Sequence, residues 1–231
     1  EFEELHRWHR ETQLPTYAKL LSRLPSVLLD GTSSEELLAL EAETFVLIEI
    51  TFEKALPFSA QILRMMNEQQ LMKLPSLLER ANRKIVGKED SKDLVRVQGI
   101  WASELISYAR RFVGRLSRDQ RSYIKARSAD YIPERVLWSE YRKRWQQDFM
   151  NLLFTKPNPD DFEDQLSDLV RNREQYYGAP LIDIFTHNEN LSREIAAWII
   201  NNLNESQRNY LEERLLGLSQ DFQDLSSNSP P

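Results

Sequence analysis

Apolar residues recur at spacings of three and four along most of this chain, the period of a helix with one buried face. The cleanest run is 134–154, where Leu137, Tyr141, Trp145, Phe149, Leu152 and Leu153 share a stripe. Over 3–29 the stripe is Leu5, Trp8, Thr12, Tyr17, Leu20, Leu21 and Leu24, which predicts one helix or two collinear ones. Pro15 and Pro25 lack the amide hydrogen a helix interior uses, so Pro15 should kink or restart that helix. Val95, Trp101, Leu105, Ile106, Tyr108, Phe112 and Val113 mark a helix over 92–115, capped by Ser91. Pro133 is expected at the first position of the helix that follows. Phe162, Leu166, Leu169 and Val170 mark another, ended near Gly178, and Pro180 opens the next. The polar run 187–190 suggests a break before that helix restarts toward Ile200.

One stretch interrupts this period. Residues 45–52, FVLIEITF, are β-branched, aromatic and nearly continuous, as in a buried strand. No turn signal separates them from residues 35–42, which read as helix behind the cap Thr32-Ser33-Ser34-Glu35-Glu36. A buried helix is therefore predicted here, bent at Pro57. Residues 67–86 follow as a helix that contains Pro75 and stops at Gly87.

A second pattern says where helices begin. Residues 203–208 read Leu-Asn-Glu-Ser-Gln-Arg, and the same order of apolar, Asn or Ser, two polar residues and Gln occurs at 66–71 and 116–121. An Asn or Ser side chain can accept from a free N–H of the first helical turn, while a Gln three residues on reaches back to the cap's own N–H. Asn67 with Gln70, Ser117 with Gln120 and Asn204 with Gln207 are thus predicted helix starts. The expected fold is all-α, a bundle of about eight to ten mostly antiparallel helices, several proline-kinked, spanning 1–225 as a single domain with a disordered tail at 226–231. No better internal boundary is visible than the loop at 155–160.

The absence of Cys excludes a disulfide framework and thiol catalysis. No apolar run approaches the roughly 20 residues that span a bilayer. The chain starts within an apparent helix, so a segment upstream is expected. The net charge of −6 hides an asymmetry. Residues 110–144 hold eleven Lys or Arg against four Asp or Glu, between an N-terminal part with 13 against 17 and a C-terminal part with 6 against 15. The basic middle is interleaved with aromatics, which makes Arg111, Arg115, Tyr123, Arg135, Trp138, Arg142 and Arg144 candidate partner-binding residues. The favoured reading of the asymmetry is that these segments pack together and neutralise one another within the fold.

Candidate chemistry is sparse. His6 and His9 stand three apart on one helix, with Glu3 the nearest third ligand, yet the zinc-helix pattern with its general base is absent. No metal or cofactor is assigned. His187 has no nucleophilic partner in view, and the acidic residues Asp160, Asp161, Glu163 and Asp164 suit a helix N-terminus better than a calcium loop.

The segment His6-Arg7-Trp8-His9-Arg10, continuing to Leu14-Pro15-Thr16-Tyr17-Ala18 and Leu20-Leu21, resembles an uncharacterised family of gammaproteobacterial lipoproteins, carried by His6, Trp8, His9, Arg10, Pro15 and Tyr17. That resemblance implies an upstream lipidated cysteine and a periplasmic, outer-membrane-tethered location, and it carries no activity. The 116–121 and 203–208 stretches are similar to the LTxxQ motif of the periplasmic stress chaperones of the Spy and CpxP type, with Ser and Asn in place of Thr. The leading expectation is a non-enzymatic helical lipoprotein that binds another envelope protein or an unfolded client as a chaperone or scaffold. Its membrane contact is through the inferred anchor, and nucleic acid is not the expected partner. One alternative is a binder of polyanions, a lipid headgroup or nucleic acid, through the basic region 110–144, with an anionic envelope component as a further partner of that kind. The other is a metal-dependent enzyme using His6 and His9.

Overall fold

The computed structural model describes residues 2–87 and 93–227, and among them there is no strand. Ser91, the expected cap, and residues 228–231 of the expected tail lie outside the described residues. The chain opens with α1 (Phe2–Trp8), a π-helical turn (His9–Gln13) and α2 (Leu14–Leu29), which follow one another without a break. The π turn is the answer to Pro15. The Leu14 N–H bonds five residues back to the His9 carbonyl, and Pro15 then sits in the first turn of α2, where its missing N–H is least costly. The interruption expected at Pro15 thus takes the form of a π turn ahead of it, with α2 beginning at Leu14.

Ser33 and Glu36 form a reciprocal capping box that starts α3 (Ser34–Met65). Residues 45–52 lie inside α3, so the helical reading holds. The buried reading does not: Phe45 is 58% exposed, Val46 54% and Phe52 56%. The half-buried positions Leu37, Leu40, Leu47 and Thr51 use one side of α3, and the β-branched and aromatic residues populate the rest.

The later elements are α4 (Glu68–Val86), α5 (Leu94–Val113), α6 (Arg118–Arg127), α7 (Arg135–Thr155), α8 (Pro159–Arg171), α9 (Ala179–Asn201) and α10 (Glu205–Ser227). Four expectations shift. Pro133 precedes α7 rather than opening it, with Glu134 at the cap position. The reason lies in α9, where the Asn188 carboxamide donates to the Ile132 carbonyl at 2.8 Å and accepts from the Ile132 N–H at 3.1 Å, occupying both backbone groups before the helix can form. For the same reason α9 runs unbroken through 187–190, since Asn188 is buried and its polar atoms are bonded. Finally, α8 stops at Arg171, earlier than Gly178, and α10 continues through Ser226 and Ser227, which the sequence reading placed in the tail.

The chain's contacts gather into two compact units. The first comprises Glu1–Phe52, Gln98–Tyr131 and Glu189–Pro231; the second comprises Glu53–Val97 and Ile132–Asn188. The loop at 155–160 falls inside the second unit and divides nothing. In the first, α2 packs along α10 closely enough for the Ser219 hydroxyl to donate to the Ala18 carbonyl at 2.7 Å. In the second, α7 packs against α4 and α8, and Ala60, Leu71, Leu152, Leu153, Phe162, Leu166 and Leu169 form the core. Phe162 and Leu153 are fully buried, each worth about 2–3 kcal/mol of hydrophobic transfer.

Candidate binding surfaces

All three repeated stretches are helix starts, and two of them do more. In each, the Asn or Ser oxygen accepts from the Gln N–H, and the Gln oxygen accepts from the cap's own N–H. Gln120 and Gln207 then bond each other within the first unit. The Gln120 amide donates to Gln207 Oε1 at 3.1 Å and the Gln207 amide donates to Gln120 Oε1 at 2.9 Å. The remaining proton of each goes to a carbonyl two residues before the opposite cap, Asn202 O for Gln120 and Arg115 O for Gln207. Both carboxamides are buried with every donor and acceptor used, so the two corners are locked by a reciprocal clasp. Gln70 makes the same cap bonds but is exposed. Its corner is closed by Lys156 instead, a residue in the left-handed conformation whose ammonium donates to the carbonyls of Arg64 at 2.9 Å and Met66 at 2.6 Å, a favourable place for a cation at the end of α3.

The seven partner-binding candidates fall in two groups. Arg111, Arg115 and Tyr123 belong to the first unit; Arg135, Trp138, Arg142 and Arg144 belong to the second. Arg111 and Arg115 are exposed, and the Arg111 guanidinium lies over the Tyr108 ring at 5.1 Å. Tyr123 stacks on Trp198 with ring centroids 3.8 Å apart. Trp138 is held in a cluster with Tyr141, Tyr177 and Phe185. The guanidinium of Arg142 donates to Asn82, part of a second buried amide pair in which Asn82 and Gln146 bond reciprocally. Arg144 donates to the Tyr176 carbonyl at 2.6 Å. Burial, then the neighbouring Tyr177, pushes the Tyr141 phenol up to about 12. Burial, then donation to Asp148 at 2.7 Å, does the same for Tyr176, also to about 12. Next to Tyr176, an open groove of about 550 Å³ is lined by Asp148, Asp164 and Asp168, with Leu152 and Leu169 at its floor.

The residues of the N-terminal motif assemble in the first unit. The Tyr17 hydroxyl shares a 2.7 Å hydrogen bond with Thr51, and its ring lies against His9 and Phe222, both at 6.0 Å. Arg10 donates to the Leu225 carbonyl at 2.9 Å. Pro15 and His6 are exposed and Trp8 is half-buried. Burial, then the adjacent His6, lowers the His9 pKa below its ordinary value. His9, Arg10 and Tyr17 are thus drawn into packing against α3 and α10. Among the described residues no group of three or more His, Cys, Asp and Glu could hold a metal ion. No helix is long and apolar enough among them to cross a membrane.

The feature that sequence reasoning missed is the exposed face of α3. Leu38, Phe45 and Phe52 recur every seven residues, and Ile48 stands beside them, 41% exposed. The signal was present in the alternation-free run FVLIEITF. A run apolar on all sides was read as buried on all sides, although one half-buried face is all the fold uses.

The fold and these surfaces describe an all-helical protein with exposed apolar and basic helical faces. Residues 1–180 match the model of a family of unknown function, DUF6279, and the chain belongs to that family. No curated protein and no solved structure matches it. Residues 181–231, beyond the matched stretch, supply most of α9 and all of α10, the helix on which α2 packs.

Proposed function

We propose that this protein is a non-enzymatic binding protein whose α3 face takes an apolar segment of another protein, as a chaperone or scaffold. The observation that carries this reading is the stripe Leu38, Phe45, Phe52 with Ile48, large apolar side chains left 41–58% exposed on the first unit's part of α3. Clustered exposed residues of this size mark interaction sites more often than ordinary surface. Glu49 stands in the same stripe and has no ion pair among the described residues, which favours a partner segment that mixes apolar with basic side chains. The resemblance to envelope lipoproteins and to chaperones of the Spy and CpxP type supports a periplasmic setting and a lipid tether upstream.

The test is light scattering of a chemically unfolded client diluted into buffer with and without the protein. The expected result is suppression at near-stoichiometric ratios, lost in the double variant Phe45→Ser, Phe52→Ser while its helical circular dichroism is unchanged. Equal suppression by the variant, or none by the parent protein, overturns the proposal. A lipid-modified cysteine detected by mass spectrometry on protein from its native envelope would support the tether, and an unmodified cytoplasmic product would refute it.

A further inference from the structure

We infer a phosphate site in the first unit, built by Arg110, Arg115 and Arg121, which is independent of the α3 reading. The chain is arranged to bring these three together. Arg110 is in the last turn of α5. Gly114 then adopts φ +72°, a left-handed conformation that glycine adopts at no steric cost, and a Cβ there would come within 3.5 Å of the Tyr210 ring. The reversal presents Arg115 and Leu116, Ser117 caps α6, and Arg121 returns from the second turn of that helix. Together with Ile106 and Leu116, the three arginines line a cavity of about 210 Å³. At ~30 Å³ of liquid volume per water molecule, that space holds a phosphate group with part of its ester.

Charge argues for an anion there. No carboxylate lines the cavity. None of the three forms an ion pair among the described residues, and Arg121 donates to the Leu116 carbonyl at 2.7 Å. Elsewhere the protein does pair its arginines: Arg23 with Glu43, Arg127 with Asp130 and Glu194, and Arg193 with Glu41. Three guanidiniums around one space repel one another until an anion enters, and their forked donors suit an oxyanion with several oxygens better than a single carboxylate. A neighbouring groove of about 350 Å³ shares Ile106 and Arg110 with this cavity and is lined further by Ser103, Ser107 and Arg111. Residues 103, 106, 107, 110 and 111 lie on one face of α5 and span about 12 Å at 1.5 Å per residue. The phosphate sits among the arginines and the group esterified to it runs along this face. A lipid headgroup and a free phosphate ester share this chemistry.

The experiment uses the whole chain in two arms. One measures binding of glycerol 3-phosphate by calorimetry. The other measures co-sedimentation with phosphatidylcholine vesicles with and without phosphatidylglycerol. Saturable binding in the first arm identifies a free ester, and binding confined to phosphatidylglycerol vesicles identifies a headgroup; either supports the site. Arg110→Glu and Arg115→Glu, at exposed side chains with no bonds of their own to lose, are each expected to weaken it at least tenfold. Arg118→Glu, the same charge change on α6 away from the cavity, is expected to weaken it less than threefold. Absence of binding in both arms overturns the proposal. An Arg118→Glu loss as large as that of Arg110→Glu overturns it too, because it would reveal diffuse charge attraction in place of a site.

Discussion

Gln120 and Gln207 each use both amide protons and accept two hydrogen bonds, and both side chains are buried. Truncating one leaves buried N–H and C=O groups without partners, at about 1–3 kcal/mol for each unsatisfied group. Gln120→Ala is therefore expected to cost about 3 kcal/mol, read as a lower urea midpoint. Gln70→Ala, which removes the same cap bond at an exposed corner, should cost about 1 kcal/mol or less. Equal losses would mean that the clasp adds nothing to the capping box. Because the two glutamines form a closed pair, the double variant Gln120→Ala, Gln207→Ala should lose less than the sum of the single changes. His9 offers a pH test at the same scale. Its pKa lies below the usual value in the folded chain, so the unfolded chain binds the proton more readily. That stability is present above the ordinary histidine range and is lost as pH falls through it. His9→Gln should flatten the decline in urea midpoint between neutral pH and pH ~5.

At the scale of elements, glycine separates helix starts and stops from helix interiors. Gly99 in α5 and Gly217 in α10 are exposed, and a Cβ at either would meet nothing within 4 Å. Gly99→Ala and Gly217→Ala should each stabilise by about 0.5–1 kcal/mol, since alanine loses less backbone freedom in a helix. Gly114→Ala should destabilise by about 1 kcal/mol or more, because φ +72° is unfavourable for a residue with a Cβ. Thermal melts of the three variants give opposite signs if α5 ends where the structure places it. The π turn before Pro15 belongs to this scale as well. It is the local rearrangement that lets one rod continue through a proline.

At the scale of the whole molecule, the first unit is assembled from three separate parts of the chain and the second from two. Residues beyond 188 are indispensable to the first, because α10 covers α2. A chain ending at residue 188 should therefore leave α2 and the N-terminal motif exposed, while the second unit keeps its core of Leu71, Leu153, Phe162 and Leu166. Hydrogen exchange should show protection lost across 14–29 and retained across 68–86 and 159–171; loss in all three would mean the units do not fold separately. The second unit has its own alkaline limit. Tyr141 and Tyr176, both at about 12 when folded, contribute stability that is fully present below about pH 10 and lost as pH rises toward 12. Phenolate absorbance should lag at these two residues and then appear together with unfolding.

Much of the local structure was legible in the sequence, although the start of α7, the end of α8 and the π turn before Pro15 were not. Periodicity placed the helices, and the Asn or Ser to Gln spacing located three helix starts, because a cap depends on atoms within four residues of one another. The family resemblance at the N-terminal motif likewise needed no coordinates. Tertiary structure decided the rest. That Gln120 finds Gln207 while Gln70 finds solvent, that Trp138 is packing and Arg115 faces a cavity, and that FVLIEITF lies exposed are all consequences of which elements meet. A residue's own sequence neighbours cannot specify its distant ones. Hydrophobicity says that a side chain prefers to leave water; the packing of the other helices determines whether there is anywhere for it to go.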